Sequence, residues 1–205
     1  MPPVIIHGFP ASTYVRTARL ACAEKGVPHA LRPLDFGSDS HAALHPWRKM
    51  PALTHGDVAI FETSAICRYI DEAFEGPALV PADPVGRAQV EQWISAFGAY
   101  IYPPMVHDLY FPLRRAAKSG EPADEAAIAK ALERVQRGLQ AVEARVAGSP
   151  WMVGEQLSSA DLLFAPVLAL ARAMPLTAPM FDAMPKLSAV VDAMQARPSW
   201  AETTD

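Results

Sequence analysis

Cysteine is scarce, with two residues in 205. The lack of CxxC spacing or a disulfide-rich composition excludes a cystine-stapled scaffold. Cys22 and Cys67 both fall in segments of helical character, where a small apolar thiol packs in its reduced form. Positive charge is in deficit too: 18 Lys and Arg against 22 Asp and Glu give a formal net charge of −4. No basic field exists to draw phosphate backbones or anionic lipid, so neither nucleic acid nor a membrane is expected as a partner. Long hydrophobic runs are also missing. The longest, Leu162 to Ala171, contains a proline, falls far short of the roughly 20 residues that span a bilayer, and reads as a buried helix. The opening Met1-Pro2-Pro3-Val4-Ile5-Ile6 has neither a basic segment ahead of an apolar run nor a small-residue cleavage site, which makes the cytoplasm the expected compartment.

A chain of this length can bury a substantial core, as one large domain or two modest ones. Val4 to His7 is a β-branched apolar strand, interrupted by Gly8, Phe9 and Pro10 before a helix starts near Ser12 or Thr13 and ends at Gly26. A second strand around His29 to Leu34 completes a β-α-β unit, whose strands should be parallel. After a polar loop, Pro51 to Thr54 and Val58 to Phe61 flank the turn signal His55-Gly56-Asp57, and a helix with apolar Ile66, Tyr69, Ile70 and Phe74 follows from Thr63. Residues 76–84 hold three prolines without periodicity, the composition of a stiff connector. Everything beyond is helical in pattern: a long helix from about Val85 that Pro103-Pro104 should kink or break, then Ala123 to Val146, Ser159 to Met174 and Pro185 to Gln195. The expected architecture is an α/β domain over residues 1–77 and an all-α domain over 85–205.

Two helix starts carry the polar signals. Ser158-Ser159-Ala160-Asp161, with Leu157 placed to staple onto Leu162, is a capping box, and structure alone accounts for it. Phe9-Pro10-Ala11-Ser12-Thr13-Tyr14 sets hydroxyls and free backbone N–H groups at a strand-to-helix junction, a place that stabilises an anion. A thiol with its ordinary pKa of about 8.5 is mostly protonated at neutral pH, and such a junction favours the thiolate. From this motif alone, a simple helix cap is the stronger reading of Ser12.

The wider pattern adds Glu24-Lys25-Gly26, His45-Pro46-Trp47-Arg48-Lys49-Met50-Pro51, Phe61-Glu62-Thr63-Ser64-Ala65-Ile66, Arg68-Tyr69-Ile70, and Gly154 with the capping box. Together these resemble the cytosolic glutathione transferases over essentially the whole chain, most closely the phi-type and related bacterial members with a serine. The resemblance implies a thioredoxin-like domain that binds glutathione and a helical domain that supplies a pocket for an electrophile. It implies that Ser12 donates a hydrogen bond to the glutathione sulfur, with Thr13 or Tyr14 as substitutes. It further implies that Pro51 is cis and presents the Met50 backbone to the cysteinyl unit, that Glu62 and Thr63 hold the γ-glutamyl end, and that Lys49 reaches the glycine carboxylate. A homodimer is implied as well.

The family's Asn-Pro-Phe-Gly-x-Val-Pro is altered here, with Arg48 at the glycine and Met50 at the valine. His41 and His45 share a four-residue spacing, but Pro46 follows and no third ligand is near, so no metal site is expected. The electrophile pocket is expected where the kinked helix faces Ser12, from Tyr14, Tyr100, Tyr102, Met105, Val106, Tyr110 and Arg114, although an aromatic stripe serves equally as core. The expected reaction is attack of the glutathione thiolate on a hydrophobic electrophile. The alternatives are a non-catalytic binder of glutathione or apolar ligands with the same fold, and a glutathione-dependent reductase or isomerase. Serine at position 12 speaks against disulfide exchange, which needs a protein thiol.

Overall fold

The computed structural model describes residues 2–204. Its first half runs β1 (Val4–His7), α1 (Thr13–Glu24), β2 (His29–Arg32), α2 (Asp39–Leu44), β3 (Ala52–His55), β4 (Val58–Phe61) and α3 (Thr63–Ala73). The strands form one sheet in the order β2-β1-β3-β4. The β1–β2 pair is parallel, with Val4 opposite His29, and the other two pairs are antiparallel. The expected β-α-β-β-β-α order is observed, with α2 added inside the stretch read from sequence as a polar loop. Ser38 caps that short helix through its hydroxyl, which accepts from the His41 amide at 3.1 Å.

The second half is helical: α4 (Pro84–Ala96), two π-helical stretches (Phe97–Ile101 and Pro103–Tyr110), α5 (Phe111–Ser119), α6 (Glu125–Arg145), α7 (Ser159–Ala173), α8 (Ala178–Asp182), α9 (Pro185–Gln195) and α10 (Pro198–Glu202). Pro103 and Pro104 do not stop the helix as the sequence suggested. The chain stays helical from Pro84 to Ser119 and changes its bonding instead, the Tyr102 amide reaching the Phe97 carbonyl and the Phe111 amide reaching Val106. Wider i→i+5 turns take up the two missing prolyl donors, which in α geometry would interrupt the ladder. No helix among the described residues is long and apolar enough to cross a membrane.

Two cores result, and the first belongs partly to both halves. Val15, Ala18 and Cys22 of α1, Ile66 and Ile70 of α3, and Ile6 and Leu53 of the sheet pack with Leu162 and Ala165 of α7, Met194 of α9 and Trp200 of α10. The second core lies wholly among the helices, around Phe97, Leu109, Val135, Leu139 and Phe164. Both thiols are free and buried, and burial pushes each up to about 12, so they behave as packed apolar groups. The connector is pinned at Leu79, whose amide donates to Asp71 at 2.8 Å and whose carbonyl accepts from the Ser159 amide at 2.7 Å.

Asp161, 1% exposed, closes the start of α7 by accepting from the Met152 amide (2.6 Å), the Ser158 amide (2.7 Å) and the Ser158 hydroxyl (2.7 Å). Burial pushes its carboxyl up to about 6, against the pull of those donors. At the other end, the C-terminal segment clasps α1. Arg197 forms a bidentate pair with Glu24 (2.6 and 2.6 Å), Ser199 adds a hydrogen bond to Glu24, and Arg16 donates to the Trp200 carbonyl at 3.0 Å. The helix whose first residues face the cleft described next is therefore clasped by the C-terminal segment near both of its ends, at Arg16 and at Glu24.

Candidate functional site

A cleft of about 800 Å³ opens between the loops at the C-terminal end of β1 and the helical wall from Ile94 to Arg114. On the sheet side, Ser12 is the N-cap of α1, with an extended backbone at φ −81° and ψ 124°. Its carbonyl accepts from the Arg16 amide at 2.9 Å and its hydroxyl oxygen from the Val15 amide at 3.4 Å. The cap occupies a lone pair, so the hydroxyl proton stays available to a ligand. Capping and binding are thus compatible roles for one side chain.

Its neighbours are differently committed. Thr13 makes a side-chain hydrogen bond with Tyr102, whose phenol is raised by burial and drawn partly back by that bond. Tyr14 is raised as well, by burial first and then by Tyr102 and Glu62, so it keeps its proton at neutral pH. The Tyr14 ring lies 4.3 Å from that of Tyr102 and meets Phe97 edge-on at 5.9 Å. Of the three hydroxyls proposed from the sequence, Thr13 is tied to Tyr102 and Tyr14 is packed among aromatic rings, whereas Ser12 sits at the helix N-terminus with its proton free.

The loop before β3 is shaped by His41 rather than by a metal. The buried imidazole accepts the Gly37 amide at Nδ1 (3.2 Å) and, as the Nε2–H tautomer, donates to the Lys49 carbonyl (2.9 Å). Neither ring nitrogen is left to coordinate an ion. Arg48 has a left-handed backbone at φ 49°, a conformation that favours glycine. Met50–Pro51 is a cis peptide bond.

Glu62 is the N-cap of α3 and also has positive φ, 67°, with ψ 122°, a sparsely populated conformation that costs a non-glycine residue about 1–3 kcal/mol. Its side chain makes no cap bond, which leaves the exposed carboxylate facing the cleft beside Thr63 and Ser64. The first-turn amides of α3 have no intrahelical partners and suit a carboxylate, while Glu62 suits an ammonium.

Ser12, Tyr14, Lys49, Met50, Pro51, Glu62, Thr63, Tyr102, Val106, Tyr110 and Arg114 all line this one cleft. Two expected pocket residues do not. Tyr100 is 70% exposed on the outer face of the helix, and Met105 is 1% exposed within the helical core. In π geometry the residues stacked beneath Tyr102 are Val106 and His107, which turns Met105 inward and brings His107 to the wall.

Sequence reasoning also passed over Phe9, Phe36, Ser64, Phe111 and His45 as lining residues. From the sequence, His45 stands out only by its four-residue spacing from His41 and its place in the His45–Pro51 motif. It is 2% exposed, its Nδ1 has no hydrogen-bond partner among the described residues, and burial lowers its pKa, with Glu62 pulling the other way. Its place between Trp47 and Phe61, ring centroids 6.3 and 5.0 Å away, depends on tertiary packing that no spacing rule reveals.

Family models for the N-terminal and C-terminal domains of glutathione S-transferases match residues 6–78 and 97–198. Glutathione S-transferase 3 of Zea mays is 32% identical over an alignment covering 99% of this chain and 94% of its own. Among solved structures, poplar glutathione transferase F1 matches with a TM-score of 0.85 at 27% identity, covering 99% of this chain and 97% of that one. The theta class glutathione S-transferase from the citrus canker pathogen Xanthomonas axonopodis pv. citri, solved with glutathione bound, matches with a TM-score of 0.88 at 26% identity, covering 100% and 98%. With both domain models matched in order and a relative aligned along nearly its full length, the chain belongs to the glutathione S-transferase family.

Proposed function

We propose that this glutathione transferase binds glutathione along the loops of residues 1–77, ionises its thiol against Ser12, and delivers the sulfur to an apolar electrophile held by the helices of residues 85–205. The observation that carries this is the Ser12 hydroxyl: fixed at a helix N-terminus by the Val15 amide, with its proton free, inside the cleft. A hydrogen bond to the charged form favours that form, so the thiolate gains and the thiol does not. Ser12 acts as a donor throughout and forms no covalent intermediate.

The remaining contacts follow the chemistry of the tripeptide. Glu62 takes the γ-glutamyl ammonium, and the amides at Thr63 its carboxylate. The Met50 backbone before cis Pro51 pairs with the cysteinyl unit, and Lys49 takes the glycine carboxylate. Fixing the sulfur beside a wall that holds the second reactant turns a bimolecular encounter into a near-unimolecular one. Conjugation of a generic aryl chloride by the wild type and by Ser12→Ala tests the reading. Loss of turnover with glutathione binding retained supports it, and glutathione binding without turnover in the wild type identifies a non-catalytic binder instead.

The protein is read as a cytoplasmic homodimer. Two reduced, buried thiols suit a reducing compartment, and exposed Trp47 (67%) and Tyr100 (70%) offer apolar area to a second copy.

A further inference from the structure

The helical wall has a feature that conjugation of a neutral electrophile leaves unexplained. His107 and Tyr110 at the end of the π-helical stretch and Phe111 and Arg114 in the first turn of α5 all line the cleft, one stripe along its helical bank. Phe111 is 44% exposed there, and across the cleft Phe36 is 56% exposed with Phe9 against it at 6.4 Å. Aromatic surface thus faces the opening from both banks. At the C-terminal end of the stripe, Arg114 leans back over the preceding turn, its Nη1 3.5 Å from the Tyr110 hydroxyl and its guanidinium 6.0 Å from that ring.

Arg114 has no carboxylate partner among the described residues, unlike Arg134, Arg172 and Arg197, each paired at 2.6 Å. The one acid between Phe97 and Arg114 is Asp108, and it is committed to Arg134. Among the described residues, the one acid lining the cleft is Glu62, on the opposite bank. A guanidinium held over an aromatic stripe, facing a cavity and lacking an internal counter-charge, is arranged to meet an anion brought in by the ligand.

We propose that the acceptor end of the cleft takes flat aromatic electrophiles bearing an anionic substituent, a carboxylate or sulfonate that pairs with Arg114 while the ring lies among Tyr110, Phe111 and Tyr102. This rests on the glutathione transferase reading. In the step itself the thiolate sulfur attacks the ring carbon bearing the leaving group and the C–S bond forms. The carbon–halogen bond then breaks, halide departs with the electron pair, and the thiol proton has already passed to solvent.

The test compares kcat/KM for 4-chloro-3,5-dinitrobenzoate and 1-chloro-2,4-dinitrobenzene, each normalised to its uncatalysed rate with glutathione. The wild type favours the benzoate, and added salt erodes that preference. In Arg114→Gln the benzoate-to-neutral ratio falls about tenfold, the size of one charge-assisted pair, whereas Arg114→Lys keeps part of it. A wild-type ratio at or below one, or a ratio unmoved in Arg114→Gln, overturns the proposal. If neither compound is turned over and calorimetry detects no glutathione binding, the transferase reading fails first, and the two failures are told apart.

Discussion

The two banks of the cleft are built on different principles. The sheet side offers backbone amides, helix caps and a few fixed polar groups: Ser12 at the front of α1, Glu62 and Thr63 at the front of α3, and Met50 before its cis proline. The helical side offers side-chain surface on a widened helix, from Tyr102 through Val106 to Arg114. On the proposed reading, a constant ligand is served by groups that are part of the local chain geometry. A variable one is served by a stripe in which any residue can change while the helix stays. Substitutions on the sheet side should therefore affect every electrophile alike, and those on the helical side should sort electrophiles from one another.

The largest effect is expected from Ser12→Ala, which removes the donor to the bound thiolate and lowers kcat by about 100-fold for every aryl halide tried. A loss confined to some electrophiles would erase the distinction between the banks. Next comes the clasp that holds α1. Burial opposes the charge on Glu24, but the Arg197 and Ser199 hydrogen bonds hold its carboxyl below the usual range. Its contribution is therefore present above the unfolded value of about 4.3 and is lost as the pH falls through the lower folded value. Glu24→Ala should lower unfolding stability at pH 7 by about 2 kcal/mol, discounted for the exposed part of Arg197, and the gap between variant and wild type should narrow in acid. Denaturant titrations at pH 7 and pH 3.5 measure both.

A smaller effect is expected from Glu62→Gln, which should weaken glutathione binding about tenfold by calorimetry, whichever second substrate is used. On the helical side, Tyr110→Phe should change kcat/KM by about threefold in a direction that depends on the electrophile, the worth of about one neutral hydrogen bond. The smallest concerns Arg48, whose left-handed backbone suits glycine. Arg48→Gly should stabilise the fold by about 0.5 kcal/mol, as relief of the strain exceeds the added chain entropy. Loss of the exposed 3.8 Å contact with Asp39 counts for little.

Legibility in the sequence divides along the same line. The strand-to-helix junction at Ser12, the hairpin at His55-Gly56-Asp57 and the capping box at Ser158 follow from local rules, and the structure has each in place. The β-α-β unit followed from strand and helix periods together. The positive φ at Glu62 and the burial of His45 were not legible, because each is imposed by contacts between segments distant in sequence. The proline pair misled for a specific reason. The rule that proline breaks a helix assumes i→i+4 bonding, and this helix passes through i→i+5 turns instead, shifting the face on which Tyr100 and Met105 were expected. Helices as short as α2, α8 and α10 carry too few turns for periodicity to register.

Everything turns on whether the Ser12 hydroxyl stabilises a bound thiolate. The most direct measurement is a pH titration of the ultraviolet thiolate absorbance of the glutathione complex, in the wild type and in Ser12→Ala at saturating glutathione. The expected result is a thiol pKa well below the ordinary value of about 8.5 in the wild type, rising by about one unit or more in the variant. Equal pKa values in the two complexes, with glutathione bound in both, would contradict the account.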